Sequence, residues 1–223
     1  GTALNDFAIA RLNPTGTLDS SFDSDGRVTT PIGTGADAIN ALAFGPGGTI
    51  VAAGQAVASG TVFALARYLP GGALDSSFDG DGTLTTDFTG AGAGTVDVAS
   101  GVAVQSDGKI VTAGSTGGNF AVARYAPNGA LDATFGSGGR VITDFGSSSD
   151  AASAVVLQAD GNIVVAGSTQ LLCPGAIPGR QQHPADRRGG RTVCDHRRRR
   201  VGARRVRFLR SGSGRPHLRL GPR

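Results

Sequence analysis

An all-β fold assembled from copies of one module is what this 223-residue sequence predicts, on three observations. One block of strand-forming residues returns three times at nearly fixed spacing. Short runs rich in Val, Ile, Phe, Thr and Tyr stand between clusters of Gly, Pro, Asn and Asp. No stretch keeps an apolar helical period for three turns. Glycine is abundant, 37 residues, but has no three-residue period, which excludes collagen and leaves turns as its use. No run approaches the ~18 unbroken apolar residues of a membrane span, so an integral membrane protein is not expected.

Taken in order, the first recurring element is Phe7-Ala8-Ile9-Ala10-Arg11-Leu12, repeated as Phe63-Ala64-Leu65-Ala66-Arg67-Tyr68 and Phe120-Ala121-Val122-Ala123-Arg124-Tyr125. At constant distance follow Leu18-Asp19, Leu74-Asp75 or Leu131-Asp132, then Phe22, Phe78 or Phe135. The next element is Val28-Thr29-Thr30, Leu84-Thr85-Thr86 or Val141-Ile142-Thr143. A second half-unit pairs Ala41–Phe44 with Thr49–Gly54, Val102–Gln105 with Lys109–Gly114, and Val155–Gln158 with Asn162–Gly167.

Turn chemistry separates these runs. Gly45-Pro46-Gly47-Gly48, Ser106-Asp107-Gly108 and Ala159-Asp160-Gly161 lie between the first and second strands, where Asp-Gly supplies the positive backbone angles of a tight hairpin. Asn13-Pro14-Thr15-Gly16 and Pro127-Asn128-Gly129 lie between the third and fourth. Four antiparallel strands recurring every 50–60 residues predict β-propeller blades, which bury their faces only by stacking on neighbours. The expectation is an all-β, β-propeller-like repeat: about three four-stranded blades, entered and left mid-blade over residues 1–170, with units starting near Phe7, Phe63 and Phe120.

The pattern F-A-[ILV]-A-R-[LY], L-D-x-x-F, G-x-[VL]-x-T and D-G-x-I-V-x-A-G resembles the bacterial delta-60 repeat, a β-propeller domain of unknown function, over about residues 7–167. The first unit departs from it, with Gly47-Gly48 in place of Asp-Gly. The resemblance implies a large secreted or surface-exposed protein and offers no catalytic residues to transfer.

Charge divides the chain. Residues 1–170 carry one Lys and five Arg against fifteen Asp, a net −9; residues 171–223 carry fifteen Arg against two Asp, a net +13, with all three His and both Cys. This Arg/Pro-rich segment is expected to be a disordered or misfolded tail. It reads either as a true basic arm or as a fourth repeat translated in a displaced frame. Shifted codons support the second reading at three places. Gln170–Pro178 permits Phe-Ala-Leu-Ala-Arg-Tyr, Cys194–Arg197 permits Val-Thr-Thr, and Gly214–Pro222 permits an Asp-Gly hairpin sequence, all in the phase of the repeat.

Candidate chemistry is sparse. Arg11, Arg67 and Arg124 share strand parity with the preceding Phe, and each precedes Asp19, Asp75 or Asp132 by eight residues. A guanidinium on a packed face needs an anionic partner, so these pairs are expected to be structural clasps between the third strand and the loop before the fourth. Asp23, Asp25, Asp79 and Asp81 are candidate calcium ligands. The third unit has Gly136–Gly139 at those positions, which favours a turn instead. Gly33-Thr34-Gly35 and Gly90–Gly94 lack the helix and Lys-Ser/Thr of a phosphate loop and are expected to be flexible connections. Cys173, Cys194, His183 and His196 lack zinc spacing.

The repeat region has no His, Cys or Glu, and its Asp residues follow the repeat rather than break it. No enzyme, no cofactor and no catalytic residue is therefore expected. The leading reading is a non-catalytic scaffold, a fragment of a larger secreted or cell-surface bacterial protein that presents loops to a protein or glycan. The alternatives are a propeller enzyme with its catalytic residues in other blades, and nonspecific nucleic-acid binding through the basic tail.

Overall fold

Alternation along the repeated Phe-Ala-x-Ala-Arg run puts large apolar side chains and the arginine on one side of a strand, and alanines on the other. A strand of this composition is stable only between two neighbours. The computed structural model describes residues 5–88, 96–147 and 149–170. Twelve strands lie among them: β1 (Phe7–Ala10), β2 (Arg27–Thr30), β3 (Ala38–Phe44), β4 (Ile50–Val57), β5 (Thr61–Tyr68), β6 (Thr83–Thr86), β7 (Asp97–Val104), β8 (Ile110–Thr116), β9 (Asn119–Tyr125), β10 (Arg140–Thr143), β11 (Asp150–Leu157) and β12 (Ile163–Thr169).

They form four antiparallel sheets, ordered β1-β2, β3-β4-β5-β6, β7-β8-β9-β10 and β11-β12. Two complete blades are thus flanked by the third and fourth strands of one blade and the first and second strands of another, as the repeat phase predicts. A sequence unit beginning at Phe63 therefore straddles two sheets, and the blade itself begins half a unit earlier, at Ala38. The tail 171–223, its displaced-frame reading and the Gly90–Gly94 loop lie outside the described residues.

The core is a series of apolar layers between successive sheets. Phe7, Ile9 and Phe22 meet Ala64, Ala66 and Tyr68. Phe63, Leu65 and Phe78 meet Ala121, Ala123 and Tyr125. Phe120, Val122, Phe135 and Val141 meet Val155, Ile163 and Val165. Large side chains on one blade fill the space left by small ones on the next, and each fully buried Phe contributes roughly 2–3 kcal/mol.

Every first strand carries a bulge. The ladder shifts between Ile39 and Ala41, Ala99 and Gly101, and Ala152 and Ala154. The added residue bends the strand and drives its carbonyl toward the second strand. A Cβ on Gly54, Gly114 or Gly167 would lie 1.8, 1.8 or 2.0 Å from the carbonyl oxygen of Ala38, Val98 or Ala151. This close approach is the physical reason that each repeat carries Ala-Gly within its second strand. The bulge also links blades, since Asn40 donates from Nδ2 to the Ala99 carbonyl oxygen at 2.8 Å.

Replacing Gly114 with Ala is expected to cost about 1–3 kcal/mol by overpacking. Gly71→Ala, with nothing within 4 Å of the added atom, is expected to stay within about 0.5 kcal/mol. Urea denaturation of the two variants checks this contrast.

Candidate functional site at the blade junctions

The loop from the third strand to the fourth starts with a narrow hairpin, in which Tyr68 bridges Leu74 and Tyr125 bridges Leu131. That hairpin returns Asp75 to the side of β5 that carries Arg67. Arg67 Nε donates to Asp75 Oδ2 at 2.8 Å and Nη2 donates to Ser77 Oγ at 2.9 Å. Asp75 Oδ1 accepts from Ser77 N at 3.0 Å and from its Oγ at 2.7 Å. The guanidinium stacks on Phe78, 4.8 Å from the ring centroid.

The other two copies match. Arg11 Nε reaches Asp19 at 2.8 Å, Nη2 reaches Ser21 at 2.8 Å, and the group covers Phe22 at 4.8 Å. Arg124 Nε reaches Asp132 at 2.9 Å, Nη2 reaches Thr134 at 3.2 Å, and the group covers Phe135 at 4.6 Å. In this third copy Lys109 Nζ also lies 3.3 Å from Asp132 Oδ2. Hydrogen bonds from Ser21, Ser77 and Thr134 depress the Asp19, Asp75 and Asp132 carboxyls below the usual range, and the arginines add to the effect.

The arginine also leaves its own blade, which sequence spacing did not reveal. Arg11 Nη1 donates to the Pro70 carbonyl and Arg67 Nη1 to the Pro127 carbonyl, each in the following blade. Beside these bonds, Asp23 N donates to Gly71 O at 2.7 Å and Asp79 N to Asn128 O at 2.8 Å. The calcium candidates Asp23 and Asp79 are thus junction residues in the left-handed region, at φ 48° and 52°. Asp25 Oδ1 accepts from Arg27 N, and Asp81 Oδ1 accepts from Thr83 N, each at 2.8 Å. Among the described residues, no three acidic, His or Cys side chains converge.

Two further repeated groups hold the junctions. Tyr68 Oη donates to Thr30 Oγ1 at 2.8 Å, and Tyr125 Oη shares a 2.8 Å bond with Thr86 Oγ1. These buried bonds join the third strand of one blade to the fourth strand of the blade before. Burial pushes the Tyr125 phenol up to about 12, so it keeps its proton. Asp37, Asp97 and Asp150 are buried where the fourth strand crosses to the next blade. Asp37 Oδ2 accepts from Ile32 N and Gly33 N at 2.8 and 2.9 Å, Asp97 Oδ2 from Phe88 N at 2.9 Å, and Asp150 Oδ2 from Phe145 N at 2.9 Å. Each stands seventeen residues before Gly54, Gly114 or Gly167, a constant offset that would have found them.

The loop at Gly33-Thr34-Gly35, expected to be flexible, is instead tied down. Thr34 N and Gly35 N both donate to Val57 O, at 2.8 and 3.1 Å, and Gly33 N donates to the buried Asp37. Its amides serve the fold and form no phosphate cradle. A junction cleft on the face of the proline turns has a volume of about 400 Å³, bounded by Pro46, Thr49, Gly108, Pro127, Asn128 and Arg67.

Comparison with known families finds one match. Residues 1–22, 46–78 and 105–135 fit the model of a domain of unknown function (DUF5122) beta-propeller. The three segments end at Phe22, Phe78 and Phe135, the rings beneath the arginines. No curated protein matches the chain.

Asp75→Asn, which keeps the shape and removes the charge, is expected to lower the melting temperature by about 3–6 °C. Because the folded-state carboxyls titrate below their unfolded value of about 4, their stabilisation is present above that pH and lost as pH falls toward the depressed values. A pH series of thermal melts should show a steeper acid limb for the unaltered chain than for an Asp75→Asn, Asp132→Asn double variant. An unchanged melting temperature in Asp75→Asn would remove the clasp.

Proposed function

We propose that this β-propeller repeat chain is a non-catalytic scaffold of the delta-60 kind, part of a larger secreted or cell-surface bacterial protein, and that it binds glycan or protein through its junction face. One observation carries the reading: the charged groups of the repeat are engaged in the same structural bonds in successive blades. Arg11, Arg67 and Arg124 go to their clasps, and Asp37, Asp97 and Asp150 go to crossover amides. A catalytic site needs groups left over for a substrate, and a repeat that reuses its carboxylates in this way favours presentation over chemistry.

The junction cleft supplies the surface. Pro46, Gly108 and Pro127 give it apolar lining, and Thr49 and Asn128 bring a hydroxyl and an amide to the same cleft. Apolar contact beneath a few directed polar groups is the chemistry that holds a sugar ring by its C–H face and its hydroxyls. The preceding junction repeats the clasp with Arg11, Ser21 and Pro70, and has Gly71 where this cleft has Asn128.

A panel of immobilised bacterial cell-wall and capsular polysaccharides tests the proposal. Retention at a Kd on the order of 1 mM or tighter is expected for at least one of them. Thr49→Arg, which fills the cleft, should weaken it about tenfold or more with the melting temperature unchanged. Retention that ignores Thr49→Arg would overturn the assignment of the cleft.

A further inference from the structure

The turn from the third strand to the fourth holds a glycine of positive φ in all three copies, at 86° in Gly16, 97° in Gly72 and 94° in Gly129. Each glycine amide donates back across its turn at 2.9 Å, to Asn13, Leu69 or Ala126 O. The residue before the glycine is under no such demand, and is Thr15, Gly71 or Asn128. The third copy thereby holds the one Asn-Gly pair of the whole sequence.

Asn-Gly is a pair through which a chain reacts with itself. Glycine has no Cβ to obstruct ring closure, and the Asn amide is thermolabile. The Gly129 nitrogen, its proton passed to water, attacks Asn128 Cγ. A nitrogen–carbon bond forms there, the bond to the side-chain amide nitrogen breaks, and ammonia leaves. Water then opens the cyclic imide at either carbonyl. One opening leaves aspartate in a normal chain. The other leaves isoaspartate, with the main chain routed through Cβ and Cγ and the former backbone carbonyl turned into a carboxylate.

The structure both prepares this reaction and restrains it. Asn128 is exposed, so water reaches it. Its Oδ1 accepts from Ala130 N at 3.2 Å, closing an Asx turn around the Gly129 peptide. The attacking nitrogen, however, is engaged with Ala126 O, and Gly129 is buried against the preceding blade, with a built Cβ 3.0 Å from Asp79 N. Attack therefore needs the turn to lift away from that blade. The carbonyl that isoaspartate formation rebuilds is the one that joins the blades. Asn128 O accepts from Asp79 N at 2.8 Å, and the adjacent Pro127 O accepts from Arg67 Nη1. At the preceding junction Gly71 O takes the bond from Asp23 N, and Gly71 has no side-chain amide to react.

We infer that Asn128-Gly129 is a self-modifying site, kept intact by the closed junction between the two complete blades, and that isoaspartate formed there unfastens that junction. The modification is a loss of ammonia and a gain of water, and it needs no other reactant. The inference does not depend on glycan binding.

Tryptic mass spectrometry of the full chain, held in mildly alkaline buffer and sampled over time, tests it. Residues 125–140 form one tryptic peptide in which Asn128 carries the sole side-chain amide, so an amide-to-acid change there reports this site. Conversion should run about tenfold or more faster in strong urea than in the native chain, and about threefold or more faster in native Arg67→Lys. Chains carrying isoaspartate, separated by their added charge, should lose exchange protection at the Asp79 amide and keep it at the Asp23 amide of the other junction. Asn128→Thr, which installs the first copy's residue, should show neither the conversion nor the loss. Equal rates in urea and in native buffer would overturn the inference. So would isoaspartate-bearing chains whose Asp79 amide stays protected.

Discussion

The arginine at each of two junctions, Arg11 or Arg67, makes two commitments, and the structure depends on both being met by one side chain. Its Nε and Nη2 bind a carboxylate and a hydroxyl of its own loop, and its Nη1 binds the main chain of the next blade. The group lies on an aromatic ring with little exposure, so water can replace only part of what it would lose. Guanidinium geometry suits this use, since a planar fork presents several donors in fixed directions and a Lys ammonium does not. The clasp therefore sets the shape of the loop and the position of the neighbouring blade together.

Around that centre the remaining polar bonds occupy separate positions in the blade. Tyr68 with Thr30, and Tyr125 with Thr86, bind the outer strands across the junction. Asn40 binds the inner strands across it. Asp37, Asp97 and Asp150 hold the crossover loops from within. Apolar layers supply most of the favourable free energy, but they are non-directional and would tolerate sliding. The directed bonds are what fix the register of one sheet on the next.

Much of this was legible in the sequence because a repeat prints each structural demand three times. Strand positions, hairpins and the mid-blade boundaries follow from Phe7, Phe63 and Phe120 and from the Asp-Gly turns. The Arg–Asp pairs are visible for the same reason, through their offset of eight residues. What stayed hidden is whatever depends on the packing of one blade against another. Pro70 and Pro127 accept through backbone oxygen, which any residue could offer, so their identity carries no signal. The carbonyl that crowds Gly114 comes from a bulge in the neighbouring strand, and a strand pattern alone does not place bulges. The bonds from the Asp23 and Asp79 amides to the next blade are hidden for the same reason, since a backbone N–H belongs to every residue but proline.

Native-state amide hydrogen exchange tests the linking role of the arginine most directly. The amide of Asp79 donates across the junction to Asn128 O, so it should exchange as slowly as the central amides of β5. In Arg67→Lys that protection should fall together with protection of the Gly129 turn amide in the neighbouring blade, while β3 and β4 stay protected. Free-turn exchange of Asp79 in the unaltered chain, or an Arg67→Lys profile indistinguishable from it, would contradict the account.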